Sequence, residues 1–441
     1  MNTKVGVAVA WLAFSILPLA SGPPVHAGGY MIPHQTARGL ALSNALTASV
    51  DDPSAVYYNP AALSEIAGDN FLGSGTYVNL INSVENSGQT ATNQHDDHLL
   101  ASLFANYHIP RSDLTLGIGT YSPFGLGTDY SAEFTRFAAQ RTELKTIYVT
   151  PALAWKPAEY ISVGAGLSFV HASTLFSRAL CLDPFTNCSR PGGLEGRLRL
   201  TDTTNAFAYN LGVLLKPADR IKFGFSYRSR ADLRFDGADV KFQGGFSPPS
   251  TKANVRPLPL PPVIDAGFFW EITPAWGAEF VYEYTHWSEF KKLAATFSPP
   301  ATYLPLGANL SSFSLPLDWR NTSTLRLGSY YAINRSLELR GGMAVEETPI
   351  PNRSLNPAIP DAAKLTLNAG VGYRLNKLSL DVGYMAVFYK TRRVTNDQLE
   401  GSTATGIPFV PVCANGTQPC SNRDRFQTFA HFVTLSAGYH F

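Results

Sequence analysis

Four cysteines have the most distinctive spacing of the chemically reactive residues in this chain. They form two short pairs, Cys181 with Cys188 and Cys413 with Cys420, each set among Pro, Asn and Ser residues. Thiols spaced in this way either oxidise to disulfides or bind zinc as thiolates. No cluster of His or Asp accompanies either pair, which favours disulfides over zinc. We expect the two local pairings, because any other pairing would join distant loops, and we expect neither a metal nor a cofactor.

The polar residues could also form a catalytic site. A lipid hydrolase would need a serine beside a histidine, together with an oxyanion site. The chain has nine histidines, but no Ser–His constellation or nucleophile-elbow motif is evident. We therefore expect that the protein is not an enzyme.

The N-terminus indicates where the protein functions. Lys4 precedes an apolar run from Val5 to Leu19, and a small-residue cleavage site ends at Ala27. This layout predicts a secretory signal peptide over residues 1–27. A membrane anchor is the alternative, but the run is shorter than the roughly 20 residues of a spanning helix. The formal charge of +2 gives no indication of a nucleic-acid partner.

The composition of the rest of the chain favours many strands. Charged residues make up only 15% and aromatic residues 12%, with 36 glycines, and no later segment is long and apolar enough for a membrane helix. In hydrocarbon every backbone N–H and C=O must be satisfied internally. A spanning chain without helices must therefore close into a β-barrel.

Alternating hydrophobicity is clearest toward the C-terminus. In 364–375 one face carries Leu365, Leu367, Val371 and Tyr373, whereas small and polar residues occupy the other face. Segments 336–346 and 378–389 and the last strand repeat this pattern. A soluble sandwich also alternates, but a polar lumen better explains small and charged residues on the second face of strand after strand.

The connections between these segments alternate in length. Six are tight turns, near 109–113, 156–160, 216–220, 273–276, 333–336 and 375–378, and seven are long stretches, near 83–97, 131–141, 177–200, 236–258, 288–318, 347–362 and 391–426. Together they join about fourteen antiparallel strands over residues 69–441, the even count usual for a multi-pass barrel of the bacterial outer membrane. The tight turns should face the periplasm and both cysteine pairs the exterior. Phe441 resembles the aromatic C-terminus that the barrel assembly machinery reads.

Residues 28–68 do not have the pattern of a strand. They are rich in Gly, Ala, Ser and Asp. Two interpretations remain open from the residues alone: a periplasmic tail, or a plug inside the lumen.

Several motifs, in order along the chain, resemble the long-chain fatty acid transporter family of outer membranes (FadL-like, with the toluene and xylene porins as relatives). They are GY at 29–30, GL at 39–40, DDP at 51–53, NPA at 59–61, SPFGLGTDY at 122–130, YTHWSEF at 284–290, EETPIP at 346–351 and IPD at 359–361. Each motif is weak alone, but together they span nearly the whole mature chain.

The resemblance implies a fourteen-stranded barrel whose lumen is plugged by an N-terminal hatch, residues 28–68. It also implies that a hydrophobic ligand, a long-chain fatty acid first of all, binds among the exterior loops and moves into a pocket in the barrel. Movement of the hatch then releases the ligand sideways through the wall, into the membrane lipid. Aromatic hydrocarbons such as toluene or xylene are the alternative cargo, and a structural or adhesive barrel is the alternative outside transport. We expect the barrel to be a monomer.

The same resemblance points to individual residues. Gly125 lies at the family's kink in the third strand, with Phe124 and Leu126 beside the expected opening, and the alternative is an ordinary strand end. Pro123 removes a ladder donor there, and Gly125 permits backbone angles that other residues resist. Asn59, Pro60 and Ala61 are expected to hold the hatch together.

Tyr30, Arg178 and Arg320 are the ligand-binding residues that the resemblance implies. Tyr30 stands where the family has a ligand-contacting Phe, and the two arginines fall where it presents cations to a carboxylate. Strand parity predicts that both arginines point inward. The alternative for each arginine is an internal salt bridge to a lumen acid, such as Glu279, Glu283 or Glu338.

Overall fold

The computed structural model describes residues 29–394 apart from 87, 95–96, 138, 182–194 and 306, and also residues 403–405 and 424–441. The predicted signal peptide lies outside the described residues. So do Cys188, Cys413, Cys420 and the side chain of Cys181, and the disulfide pairings therefore stay predictions. No helix in the described part is long and apolar enough to cross a membrane.

Strands make up most of the described chain. In order they are β1 (Asn70–Asn86), β2 (Gln89–Thr92), β3 (Asp97–His108), β4 (Leu114–Tyr121), β5 (Gly125–Asp129), β6 (Arg141–Ala158), β7 (Ile161–Cys181), β8 (Glu195–Ala218), β9 (Ile221–Arg228), β10 (Ala231–Gln243), β11 (Phe246–Ser247), β12 (Ser250–Leu260), β13 (Val263–Thr273), β14 (Trp276–Thr285), β15 (Lys292–Tyr303), β16 (Ala308–Pro316), β17 (Thr322–Ala332), β18 (Leu337–Glu346), β19 (Lys364–Leu375), β20 (Leu378–Tyr389), β21 (Arg392–Val394), β22 (Thr403–Thr405) and β23 (Asp424–His440). The helices are α1 (Ala37–Ala41) and α2 (Ala55–Tyr58), with 3-10 turns at Pro60–Glu65, Glu133–Thr135, Trp287–Glu289 and Asn352–Ser354.

These strands close into an antiparallel barrel with fourteen strand positions in its wall. Three positions are filled by interrupted strands: β4 with β5, β9 with β10, and β12 with β13. The first and last strands pair along their whole length, with Asn70 opposite His440. All six predicted tight turns join neighbouring strands at the end where Asn70 and His440 lie. The prediction of an all-β barrel of about fourteen strands is therefore confirmed.

The alternation of side chains along the wall also agrees with the prediction. On β19, Leu365 and Leu367 are exposed on the outer face, whereas Lys364 and Thr366 are buried inside. The outer face is apolar because it must contact lipid, and the inner face can hold charge because it packs on other protein groups.

The long connections contain more strand than the sequence suggested. β7 and β8 pair up to Cys181 and Glu195, inside the stretch predicted as a loop. Residues predicted as loops near 236–258 and 288–318 form the hairpins β10–β12 and β15–β16, which pair with each other. Pairing between these hairpins satisfies backbone N–H and C=O groups that unpaired loops would leave to water. The pairing joins residues far apart in the chain, so local sequence patterns do not reveal it.

Residues 29–66 lie inside the barrel, and nearly all of them are buried. Thr36 caps α1 by accepting a hydrogen bond from the Gly39 N–H at 3.0 Å. Wall glycines allow the segment to approach the strands closely. A Cβ on Gly164 would lie 2.4 Å from the Pro60 carbonyl carbon, and one on Gly212 would lie 2.1 Å from Asn59 Oδ1.

Candidate ligand-binding site

A cavity lies where the long-loop end of the barrel meets the N-terminal segment. It contains about 1220 Å³ of space outside protein atoms, its mouth included. Strands β6, β7, β8, β10, β12, β15 and β16 form its wall, and their inward side chains are mostly apolar. Apolar lining residues include Leu144, Phe176, Leu180, Leu198, Leu200, Phe235, Val255, Phe290, Phe297, Leu310 and Phe313.

Two of the described lining residues are charged, and among the described residues only one of them has an opposite charge within 4.0 Å. Glu143 is paired with Lys145, whose Nζ lies 3.5 Å from Glu143 Oε2, and with Arg141. Arg178 is 4% exposed and has no carboxylate within 4.0 Å among the described residues. Its Nε donates a long hydrogen bond of 3.4 Å to the Ala179 carbonyl, and its guanidinium lies 5.0 Å from the centre of the Phe313 ring.

A hydroxyl on the neighbouring strand adds a second donor. Thr142 Oγ1 is buried in the cavity wall and has no hydrogen-bond partner in the described structure. Thr142 pairs with Phe176, two residues before Arg178, so Thr142 and Arg178 are diagonal neighbours on the cavity face. Sequence reasoning missed Thr142, because nothing in the sequence distinguishes its hydroxyl from others that are satisfied.

Tyr30 forms the inner end of the cavity. Its ring packs edge-on against Trp287 at a centroid distance of 4.8 Å, and Trp319, Phe290 and Phe124 surround it. Its hydroxyl donates a hydrogen bond of 2.6 Å to the Pro259 carbonyl on β12. Burial raises the pKa of the Tyr30 phenol well above its ordinary value, so the group is a neutral donor.

The residues after Tyr30 bond to the interruption between β4 and β5. The Ile32 N–H donates to Pro123 O at 2.7 Å, and the Gly125 N–H donates to Tyr30 O at 2.8 Å, with Met31 and Phe124 as bridge partners. Pro123 lacks a backbone donor and cannot continue a ladder, so the N-terminal segment takes the place of a neighbouring strand here.

This interruption leaves a gap in the ladder between β3 and β5. β4 pairs with β3 only up to Leu103, and β5 pairs with β6. The outer part of β3, Asp97–Ser102, therefore has β1 as its only strand partner among the described residues. Gln35 fills the gap from inside, because its carbonyl accepts from Ser102 Oγ and its side-chain oxygen accepts from the Ser122 N–H at 3.3 Å.

Gly125 and its neighbours Phe124 and Leu126 therefore lie at the edge of this gap, all three buried. The backbone argument for Gly125 was wrong, because its φ is not among the positive values found at other glycines. What the structure shows at Gly125 is its N–H donating to Tyr30 O, which ties the start of the N-terminal segment to this edge.

The NPA run at 59–61 holds the N-terminal segment in place. Asn59 Nδ2 donates to Thr47 O at 2.7 Å and to Val213 O at 3.1 Å, and Asn59 Oδ1 accepts from the Ala61 N–H. Pro60 begins the 3-10 turn. These residues fasten the N-terminal segment to the wall and do not line the cavity.

Arg320 does not line the cavity that contains Arg178. It is exposed, it precedes the first residue of β17, and it lines a separate groove at the rim. The inward orientation expected from parity is not found, because the regular strand begins only at Thr322. Arg326 is the inward arginine, with its Nη2 3.0 Å from Glu283 Oε1 and its Nη1 3.3 Å from Glu346 Oε1.

The lumen acids named as alternative partners are all engaged elsewhere. Glu338 pairs with Arg38 and Arg340, and Glu283 pairs with Arg326. Glu279 accepts hydrogen bonds from the N–H groups of Ala48 and Ser49, at 2.7 and 2.9 Å. None of the three lies within 4.0 Å of Arg178 or Arg320 in the described structure.

A barrel with a filled lumen and an apolar cavity at its long-loop end has the architecture of a channel for hydrophobic molecules. The model of one family, described as outer membrane protein transport protein (OMPP1/FadL/TodX), matches residues 19–415. The chain belongs to this family of outer-membrane transporters for hydrophobic compounds, and it is a multi-pass protein of the outer membrane.

Individual relatives and solved structures are similar to this chain over most of its length. Outer membrane protein P1 of Haemophilus influenzae is 24% identical over 417 residues, covering 85% of this chain and 88% of the relative. A long-chain fatty acid transport protein of Escherichia coli is 24% identical over 392 residues, covering 81% and 85%. A Pseudomonas aeruginosa FadL homologue superimposes with a TM-score of 0.78 at 21% identity, covering 94% of this chain and 100% of that one. The Pseudomonas putida toluene transporter TodX gives 0.70 at 16% identity, covering 93% and 99%.

Proposed function

We propose that this protein takes up long-chain fatty acids across the outer membrane. The observation that carries the proposal is Arg178, a buried cation without a carboxylate partner among the described residues, in a cavity whose lining is mostly apolar. A carboxylate that leaves water for such a site needs a charged donor to offset its desolvation. Arg178 and the unpaired hydroxyl of Thr142 would bind the headgroup, and the apolar wall would bind the alkyl chain.

Tyr30 links ligand binding to release. Its ring is part of the cavity wall, and its own carbonyl accepts from the Gly125 N–H at the strand interruption. A ligand that displaces the ring therefore pulls on the backbone that fills the gap. We regard residues 28–68 as a hatch that opens by movement of its first residues.

Release would occur sideways, between β3 and β5. This is the gap occupied by Met31 and Gln35, and its edge is formed by Phe124, Gly125 and Leu126. Withdrawal of the hatch N-terminus would leave an opening in the wall at this level, through which an apolar chain reaches membrane lipid without crossing water.

A disulfide lock tests hatch movement. Met31 and Phe124 are antiparallel bridge partners, and such partners have Cα atoms about 4.5–5.5 Å apart, within the range that a disulfide spans. We expect the oxidised Met31→Cys/Phe124→Cys protein to bind oleate but not to transport it, and reduction to restore transport. Each single-cysteine variant is the matched control. Full transport by the oxidised double variant would mean that ligand does not leave through this gap.

Aromatic hydrocarbons are the second candidate cargo, supported by the cavity's aromatic residues Phe176, Phe235, Phe290, Phe297 and Phe313. Equilibrium binding of oleate and toluene to the purified protein separates the two. A fatty acid transporter should bind oleate far more tightly than toluene. Tighter binding of toluene than of oleate would favour aromatic hydrocarbons as the cargo.

We also propose that the barrel acts as a monomer, because pairing of its first and last strands closes the wall without a second chain. Phe441 is 62% exposed at the end of the chain, where the barrel assembly machinery could bind it.

A further inference from the structure

A basic groove lies at the long-loop rim, apart from the apolar cavity. Four of its lining residues are cationic: Arg320, Lys390, Arg392 and Arg393. The remaining described lining residues are Thr348, Ile350, Pro351, Asn352, Ala363 and Thr391, so no carboxylate faces these cations from the described lining. The groove contains about 1030 Å³ of space outside protein atoms, open solvent at its mouth included.

The cations of this groove are available for a ligand. Arg392 is held by neutral acceptors, with Nη1 donating to Asp361 O at 2.9 Å and Nη2 donating to Asn352 Oδ1 at 2.5 Å. These two bonds fix the position of the guanidinium, and the Asp361 carboxylate acts on it only from beyond 4.0 Å. Lys390 and Arg393 are exposed, and neither has a carboxylate within 4.0 Å among the described residues.

Strand register gives the height of the groove relative to the membrane. Leu325, Val345, Leu365 and Phe388 are opposite one another on consecutive strands and form an exposed outer row. This is the last apolar row of the lipid-facing surface here. Lys390 follows Phe388 by two residues on the same face, and its N–H donates to Ala363 O at 2.8 Å. Lys390 therefore lies about 7 Å beyond the lipid-facing row, from a rise of about 3.4 Å per residue.

We infer that this groove binds the phosphate groups of the outer-leaflet glycolipid, the lipid A part of lipopolysaccharide. Lipid phosphates lie at the boundary between hydrocarbon and water, the height at which Lys390 stands. Guanidinium groups bind phosphate oxygens in a bidentate manner, and basic clusters at a membrane surface bind anionic headgroups. The acyl chains of the same lipid would lie along the apolar row below.

The test measures lipid A binding by the full-length protein in detergent. The probe is bis-phosphorylated lipid A, compared with the same lipid after removal of both phosphates. Each basic residue near an anionic lipid surface is worth about a fivefold change in affinity, so Lys390→Gln/Arg393→Gln should bind about 25-fold more weakly. The matched control is Arg234→Gln/Arg256→Gln, two exposed arginines on the exterior hairpin β10–β12, which should bind as the unmodified protein does.

Three results would overturn the inference: equal affinity for the dephosphorylated lipid, unchanged affinity in the Lys390→Gln/Arg393→Gln protein, or an equal loss in the control. Inorganic phosphate distinguishes a lipid site from a site for free anions. Millimolar phosphate should fail to displace lipid A, and displacement would mean that the groove binds soluble phosphate instead. Oleate binding by the Lys390→Gln/Arg393→Gln protein should be unchanged. A failure of this inference can then be distinguished from a failure of the proposed transport function.

Discussion

Replacing Arg178 by Met isolates the contribution of charge to ligand binding. Methionine keeps an unbranched side chain of similar reach in the cavity wall, and it removes the guanidinium. Arg178 has no carboxylate partner in the described structure, so its loss leaves no buried acid uncompensated, unlike the removal of an arginine from a salt bridge. The substitution should therefore alter binding of an anion without a large cost in stability.

The expected magnitude follows from the contacts of Arg178. In the free protein the guanidinium has one long hydrogen bond of 3.4 Å and the Phe313 ring at 5.0 Å, so little is lost when a carboxylate engages it. A hydrogen bond to a charged group contributes about 1.5–3 kcal/mol. Oleate should therefore bind about 10- to 150-fold more weakly to the Arg178→Met protein. Toluene carries no charge and should bind almost as before.

Isothermal titration with oleate and with toluene measures both effects on the same preparation. Arg320→Met is the matched control, because Arg320 is exposed in the rim groove and should leave oleate affinity unchanged. Thr142→Val should weaken oleate binding by a smaller factor than Arg178→Met, because it removes a neutral donor and no charge. An equal loss for both ligands would show that Arg178 shapes the cavity, and a loss confined to Arg320→Met would move the headgroup site to the rim.

Three further predictions concern the wall and the N-terminal segment. Tyr30→Phe removes the hydrogen bond to Pro259 O and should loosen the segment by about 0.5–1.5 kcal/mol; faster hydrogen exchange at the Gly125 N–H would show this, and unchanged exchange would contradict it. Gly125→Val should reduce transport while oleate binding survives, because a branched side chain adds bulk and restricts φ at the edge of the gap between β3 and β5; full transport by a folded variant would place the exit elsewhere. Arg326→Met leaves Glu283 buried without its partner and should destabilise the barrel by about 3–5 kcal/mol, measured by urea unfolding; an unchanged midpoint would mean that water or another cation replaces Arg326.

The strand pattern could be predicted because it depends on local chemistry. Leu365 and Leu367 alternate with Lys364 and Thr366, since one face of a strand meets lipid and the other meets the lumen. Tight turns such as 376–377 could be recognised from their own residues. Fourteen strands follow from counting these two signals, and neither requires knowledge of which strands are neighbours.

The relation between distant segments depended on the tertiary structure. Arg178 and Arg320 look alike in sequence, yet one is buried in the apolar cavity and the other is exposed at the rim, because strand parity holds only within a regular strand and β17 begins after Arg320. Thr142 became a candidate donor only when pairing brought it beside Arg178. The sequence by itself determined which residues face lipid and how often the chain crosses the wall. The tertiary structure decided which polar groups remain unpaired, because pairing depends on contacts between residues far apart in the chain.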